Sequence, residues 1–340
     1  MTAVPVIDIS AFRSGSDAER AAVVAAVDRA ATEVGFMQIT GHGIPGSVQD
    51  GLTEAMDAFF ALPMAEKLAC MPPSKAINRG YTAPKTERLS HSLGVYSPDD
   101  LFEAYNVGNQ AADFPGADLP EAYYPTNIWP EQAGIRAGVT AWFEHAAALA
   151  RTMTDIFALA LGLPADYFVG FQDHPMDVLR MNNYQLPPDD TRIEPGQLGM
   201  GAHTDYGIVT VLWADAVRGL QILDAEGGWQ DVIPAPGALL INLGDLLSRW
   251  TNDRWVSTMH RVLAPVDETG RLYRRRSAAY FHDGNHDALI TTLATEGNSS
   301  YEPVTVSEHL VQKLSGSRGL ELNQGAEREA SRLPGLTPTA

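Results

Sequence analysis

The sequence predicts a mainly β protein with supporting α-helices, whose core is two antiparallel sheets packed face to face. Three observations carry that expectation. Between about residues 176 and 282, eight short runs rich in β-branched and aromatic residues are separated by Gly, Pro and Asp: VLRMNNY, GMGAHTD, IVTVLW, GLQIL, WQDVI, ALLINLG, STMHRVL and RRSAAYF. Ahead of them, residues 131–161 repeat apolar positions at helical spacing. Before that helix, the chain alternates short strand and helix signals. The turns between the eight runs differ too much in length for a repeat array.

Taken in order, Val4 to Ile9 reads as a short strand. Ser16 and Glu19 then stand in the S-x-x-E arrangement of a capping box, which opens an Ala- and Val-rich helix that Gly35 stops. Phe36 to Thr40 is a second strand, and the Gly41-His42-Gly43 turn leads to a helix beginning near Pro45. Residues 71–96 are irregular, with Pro72-Pro73, Gly80 and Pro84, and include Arg79 and Tyr81 as side chains able to meet a ligand. LFEAYNVG, residues 101–108, fits either a helix start or a strand. Ile135, Val139, Phe143, Ala146, Met153 and Phe157 define the apolar face of the long helix, which Gly162 and Pro164 end. Past the strand-rich region, Thr305 and Glu308 form a second capping box, predicting a short helix through Gln312. The expected organisation is an α/β support region over 1–130, a bracing helix with the β core and closing helix over 131–315, and a flexible tail over 316–340. All three form one functional unit.

Bulk properties restrict the function. The 340 residues are 45% hydrophobic, enough for a sizeable core, and 24 Lys and Arg stand against 42 Asp and Glu, a formal net charge of −18. Such a field repels phosphate backbones and anionic membranes. The only dense basic run, Arg274-Arg275-Arg276, sits in a strand and is too narrow for a nucleic-acid footprint. The single cysteine, Cys70, excludes an intrachain disulfide framework and any multi-cysteine zinc site. No run of about 18 apolar residues spans a membrane, and the opening MTAVPVIDISAFRSG has no basic stretch leading to a long apolar one. A cytoplasmic protein acting on a small molecule, with no nucleic-acid or membrane partner, is the expectation; the oligomeric state is left open.

The chemistry concentrates in the strands. His203 and Asp205 in GAHTDYG are two positions apart, so on an extended strand both leave one face, with alpha carbons about 6.6 to 7 Å apart. His260, in STMHRVL, lies in another predicted strand, and antiparallel sheets can bring it into the same cavity. Two imidazoles and one carboxylate match the facial triad of oxygen-activating non-haem Fe(II), which leaves coordination positions open; a catalytic zinc site is the competing reading. Arg275 and Ser277 alternate on the last core strand and share a face. Together they make a carboxylate receptor, a guanidinium fork beside a hydroxyl. Arg274 and Arg276 should point the other way, as solvated cations outside the barrel.

At these residues the sequence resembles the isopenicillin N synthase-like branch of the 2-oxoglutarate/Fe(II)-dependent oxygenases. The resemblance runs over roughly residues 4 to 285, through VPVIDIS, GFMQITGHGI, NRGYTAP, RMNNY, HTDYG, NLGDLLSRWTNDRWVSTMHRV and RRSAAYF. It implies a distorted double-stranded β-helix, or jelly roll, with His203, Asp205 and His260 as iron ligands and therefore catalytic. It implies that Arg275 and Ser277 bind the distal carboxylate of 2-oxoglutarate, that Asn182 and Tyr184 contact the oxoacid, and that Phe281 borders the organic substrate. Arg79, Tyr81 and Tyr105 are further candidates for the substrate wall, against ordinary packing. The reaction so implied uses Fe(II), 2-oxoglutarate and molecular oxygen to hydroxylate a small metabolite. The alternatives are an Fe(II) oxidase or cyclase that uses no 2-oxoglutarate, and a metal-dependent binding protein on the same fold.

Overall fold

The structure, a computed structural model, describes residues 4–185, 193–264, 266–267, 273–293 and 299–318. The support region comprises β1 (Val6–Asp8), α1 (Ser10–Ser14), α2 (Asp17–Glu33), β2 (Phe36–Thr40), α3 (Gly46–Phe60), α4 (Met64–Ala69), β3 (Gly80–Thr82) and β4 (Glu103–Gly108). The long helix α5 (Ile135–Ala160) follows. Then come β5 (Val178–Asn183), β6 (Met200–His203), β7 (Val209–Ala214), β8 (Leu220–Leu223), β9 (Trp229–Asp231), β10 (Leu239–Leu243), α6 (Asp245–Trp250), β11 (His260–Val262) and β12 (Arg276–His282). The two-residue strands β13 (Leu289–Ile290) and β14 (Val304–Thr305) lead into α7 (Val306–Ser317).

All eight strand-like runs of the core are strands, and LFEAYNVG resolves as β4, paired along its whole length with β5. The larger sheet runs β1-β2-β10-β7-β12-β5-β4-β3, the smaller β6-β11-β8-β9. Pairing is antiparallel in both except between β1 and β2, which are parallel. The two faces of the large sheet carry two different cores. Met37, Ile39, Leu239, Ile241, Tyr105, Met181 and Tyr280 pack with Trp142, Met153 and Phe157 of α5 and with Phe59 of α3. Their neighbours of opposite parity, Phe36, Leu240 and Ala104, face Met200, Leu220, Ile222 and Val262 of the small sheet. Side chains on adjacent strand positions leave opposite faces, so residue parity decides whether a side chain meets the helices or the space between the sheets.

Both capping boxes form: the Ser16 N–H meets Glu19 Oε2 at 2.8 Å, and the Thr305 N–H meets Glu308 Oε2 at 2.9 Å. Gly35 has φ of 68°, the left-handed turn that stops α2 after Glu33. The closing helix departs from expectation, running through Gln312 to Ser317. Gly316 is no breaker here. A Cβ there would lie 2.8 Å from the His91 carbonyl oxygen, so the missing side chain lets α7 pack directly on residues 89–93. Of the expected tail, positions 319–340 lie outside the described residues. Arg274 and Arg276 face away from the cavity as expected but are not simply solvated: their Nη1 atoms lie 2.8 and 2.6 Å from Asp57 Oδ1, tying β12 to α3.

Candidate active site

His203 closes β6 and His260 opens β11, and the two are register partners across the small sheet, with ring centroids 4.2 Å apart. Asp205 lies two residues beyond the end of β6 rather than within it. Its position is set by its carbonyl, which accepts the Asp245 N–H at 2.8 Å. Asp205 Oδ1 stands 3.7 Å from His203 Nε2 and 3.6 Å from His260 Nε2, with all three residues buried. Those separations are too long for hydrogen bonds and close to the ~3 to 3.5 Å between two ligands on one ion with bonds near 2.1 Å.

The surroundings orient each donor. His203 Nδ1 meets the Gly201 carbonyl at 2.8 Å and His260 Nδ1 meets the Thr258 carbonyl at 3.1 Å, which places the proton on Nδ1 and the lone pair on Nε2. Asp205 Oδ2 accepts from the Thr210 hydroxyl and from Asn242 Nδ2, the latter at 2.6 Å, so Oδ1 is left for the common centre. Burial, reinforced by His260, pulls the His203 pKa down to about 4 against the opposing pull of Asp205. The imidazole is therefore neutral at physiological pH, the form that binds a metal.

From this centre one cavity runs between the sheets. Arg275, Ser277, Ala279, Phe281 and Asp283 all line it, every second residue through β12, as do Val178, Arg180, Asn182 and Tyr184 along β5. Arg275 is 2% exposed, and among the described residues its Nε and Nη1 have no hydrogen-bond partner. Its guanidinium sits 5.0 Å from the Tyr184 ring centroid, and Asn182 Nδ2 lies 3.4 Å from Ser277 Oγ. A buried cation with unused donors is costly unless an anion completes it. The donor set thus fits a carboxylate at one end of the cavity and a divalent metal at the triad, as an iron-chelating oxoacid requires.

The cavity is also lined by residues that the sequence did not single out. Arg180 pairs with Glu87 at 2.6 Å with both side chains largely buried, and Leu310, Leu314, Ser317 and Arg318 bring one face of α7 and the residue after it to the cavity. Arg318 Nη1 bonds the Lys75 carbonyl at 2.8 Å and Nη2 bonds Asn78 Oδ1. Asp283 is buried, and among the described residues its carboxyl accepts no hydrogen bond. Burial, then the charges of Asp177 and Asp205, push its pKa well above the usual carboxylate range.

Three expected substrate residues do not line this cavity. Tyr81 and Tyr105 are register partners on β3 and β4 and point to the helical side, where Tyr105 stacks on Phe59 with centroids 4.1 Å apart. Their hydroxyls donate to Glu103 Oε2 at 2.6 Å and to the Ile128 carbonyl at 2.7 Å. Arg79 is buried with its guanidinium on the carbonyls of Asn78 and Asn109, while its neighbour Asn78 reaches the cavity instead.

Comparison with known proteins agrees with this geometry. Residues 4–132 match the family described as non-haem dioxygenase in morphine synthesis N-terminal, and residues 175–284 match the 2OG-Fe(II) oxygenase superfamily. The chain is 34% identical over 323 residues to the 2-oxoglutarate-Fe(II) type oxidoreductase hxnY of Emericella nidulans, covering 90% of this chain and 88% of that one. It is 31% identical over 327 residues to homoarginine-6-hydroxylase 2-ODD-233 of Oryza sativa subsp. japonica, covering 92% and 96%. Among solved structures, a full-length Neurospora crassa protein in complex with alpha-KG and thymine superposes with a TM-score of 0.79 at 30% identity, over 92% of this chain and 96% of that one. The fold and site define a non-haem iron oxygenase built on a distorted double-stranded β-helix. The chain belongs to the 2-oxoglutarate/Fe(II)-dependent oxygenase superfamily, with the amino-terminal domain typical of its isopenicillin N synthase-like branch. Its cofactor is Fe(II) and its co-substrate 2-oxoglutarate.

Proposed function

We propose that the protein hydroxylates a small-molecule metabolite in a reaction dependent on Fe(II), 2-oxoglutarate and oxygen, releasing succinate and carbon dioxide. The observation that carries this reading is a single cavity joining the His203, Asp205 and His260 donors to the Arg275 guanidinium, whose Nε and Nη1 have no hydrogen-bond partner among the described residues. Fe(II), when bound, supplies the centre at which oxygen oxidises the oxoacid and then a C–H bond. The chain's own residues bind and orient. His203 Nε2, His260 Nε2 and Asp205 Oδ1 would hold the metal, and Asn242 and Thr210 keep the Asp205 carboxylate turned. Arg275 and Ser277 would grip the distal carboxylate of 2-oxoglutarate, with Asn182 and Tyr184 beside its body.

The substrate would occupy the space among Phe281, Asp283, Arg180 and α7. There Leu310 and Leu314 exclude water and the polar groups fix orientation. Relatives named for homoarginine and crystallised with thymine support a compact polar metabolite. The three segments, 1–130, 131–315 and 316–340, are read as one functional unit. No helix among the described residues is long and apolar enough to cross a membrane. The single cysteine, Cys70, supports the reading of a cytoplasmic enzyme.

The test is oxygen uptake and succinate release by protein loaded anaerobically with Fe(II), across a library of small polar metabolites. Substrate-stimulated succinate release with a hydroxylated product is the expected result. Product formation that does not require 2-oxoglutarate would replace this reading with an oxidase or cyclase. Metal binding with no turnover across the library would favour a binding protein.

A further inference from the structure

A second group of metal-type donors lies outside the cavity, and we propose that it is a surface site for a borderline divalent cation such as Zn(II), Ni(II) or Cu(II). His174 precedes β5, while His286 and Asp287 follow β12. Antiparallel pairing of β5 with β12, extended by a bridge between Pro175 and Asn285, brings them together. Asp287 Oδ1 stands 3.2 Å from His174 Nε2 and 3.8 Å from His286 Nδ1, and the three donor atoms all lie within 4.8 Å of one another. Two ligands bonded at ~2.05 Å in tetrahedral geometry are about 3.3 Å apart. The donor set, two imidazoles and one carboxylate, repeats that of the His203, Asp205 and His260 group, at similar spacing.

A separate observation points to a ligand. The far nitrogen of His174, Nδ1, lies 2.6 Å from Asp173 Oδ1, which Asn285 Nδ2 holds at 2.7 Å. A carboxylate on the second nitrogen is the arrangement that fixes the tautomer and raises the basicity of a metal-binding imidazole. His174 therefore has a carboxylate on each ring nitrogen. With Nδ1–H donating to Asp173, Nε2 offers its lone pair to a cation shared with Asp287. The frame is set in advance: the His174 N–H donates to Asn285 Oδ1 at 2.8 Å, and the Tyr124 hydroxyl donates to the His174 carbonyl at 2.6 Å. Asp287, 64% exposed at its side chain, has room to adjust, and His286 Nδ1 would exchange its 3.3 Å contact with the Tyr124 hydroxyl for the ion. Two nitrogen donors among three select a borderline transition ion over Mg(II) or Ca(II). The ion would pin the ends of β5 and β12, the two strands that carry the Arg180 and Asp283 walls of the cavity.

Co(II) serves as the probe, with equilibrium dialysis and metal analysis giving the stoichiometry and visible d–d absorption reporting the coordination. Wild-type protein should bind two equivalents. A variant carrying His203→Ala and Asp205→Ala should bind one, and His286→Ala should also bind one while keeping the 2-oxoglutarate response of the cavity. Asp173→Asn should weaken the surface equivalent by ~10- to 100-fold. Binding of a single equivalent that disappears with His203→Ala and Asp205→Ala would overturn the proposal. So would two equivalents surviving in His286→Ala, which would make the 174/286/287 group an ordinary surface histidine–carboxylate cluster.

Discussion

Arg275→Met separates two reasons for keeping a buried arginine. In the ligand-free protein, Nε and Nη1 have no partner among the described residues, and each such buried polar group costs ~1–3 kcal/mol. The contact with the Tyr184 ring, 5.0 Å from the guanidinium carbon, returns ~1–2 kcal/mol. Replacement by an apolar side chain of similar length should leave ligand-free stability within about 1 kcal/mol of wild type, or raise it. With 2-oxoglutarate bound as proposed, the fork would make two charge-assisted hydrogen bonds, each contributing ~1.5–3 kcal/mol. Losing both removes ~3–6 kcal/mol, or roughly 10²- to 10⁴-fold in affinity. The assay pairs calorimetric titration of 2-oxoglutarate into Mn(II)-loaded protein with urea denaturation of the ligand-free form. The reasoning is refuted if stability falls by more than about 2 kcal/mol while oxoacid affinity stays within about tenfold.

Three further outcomes follow from the same geometry. Asn242→Leu removes the 2.6 Å donor to Asp205 Oδ2 and should weaken Co(II) binding at the triad by ~10- to 100-fold, read by titration of protein that also carries His286→Ala; unchanged affinity would mean that Asn242 does not position the carboxylate. Tyr81→Phe, on the helical side of the sheet, should cost ~1–2 kcal/mol through the lost bond to Glu103 and leave 2-oxoglutarate turnover unchanged, whereas a specific rise in the substrate KM would return Tyr81 to the substrate wall. His309 in α7 is pushed down to about 3 by burial, with the Lys313 charge adding to it, from an ordinary 6.5. Between those values the unfolded chain binds a proton that the folded one does not, so stability falls as pH falls through this window, by at most ~1.4 kcal/mol per pH unit. His309→Leu should flatten the acid limb of a urea-denaturation series by one proton; an unchanged slope would contradict the assignment.

The strand-rich runs, both capping boxes and the long helix were legible because each is a local pattern: alternation, a side chain reaching three residues ahead, apolar spacing at 3.6. The triad was legible because two of its members are two residues apart and the third sits in a recognisable strand. The substrate wall was legible only in part, and the reason is parity. Once Arg275 and Ser277 are placed facing inward, Ala279, Phe281 and Asp283 must follow on the same face, and Arg180 follows from Asn182 in the same way; alternation already contained Asp283 and Arg180. Tyr81 and Tyr105 misled because their chemistry suits a ligand while the pairing of β3 with β4, a long-range property, turns both toward α3. The contribution of α7 was hidden because the expected helix stopped at Gln312, short of Leu314, Ser317 and Arg318, and because the close approach of Gly316 to His91 is a long-range contact.

The most direct test of the central claim is an anaerobic crystal structure with Mn(II) and 2-oxoglutarate. The expected result is one ion held by His203 Nε2, His260 Nε2 and Asp205 Oδ1, chelated by the keto acid, with the remote carboxylate on the Arg275 fork and the Ser277 hydroxyl. A metal bound away from those three atoms, or an Arg275 guanidinium paired with a protein group while the oxoacid lies elsewhere, would contradict it.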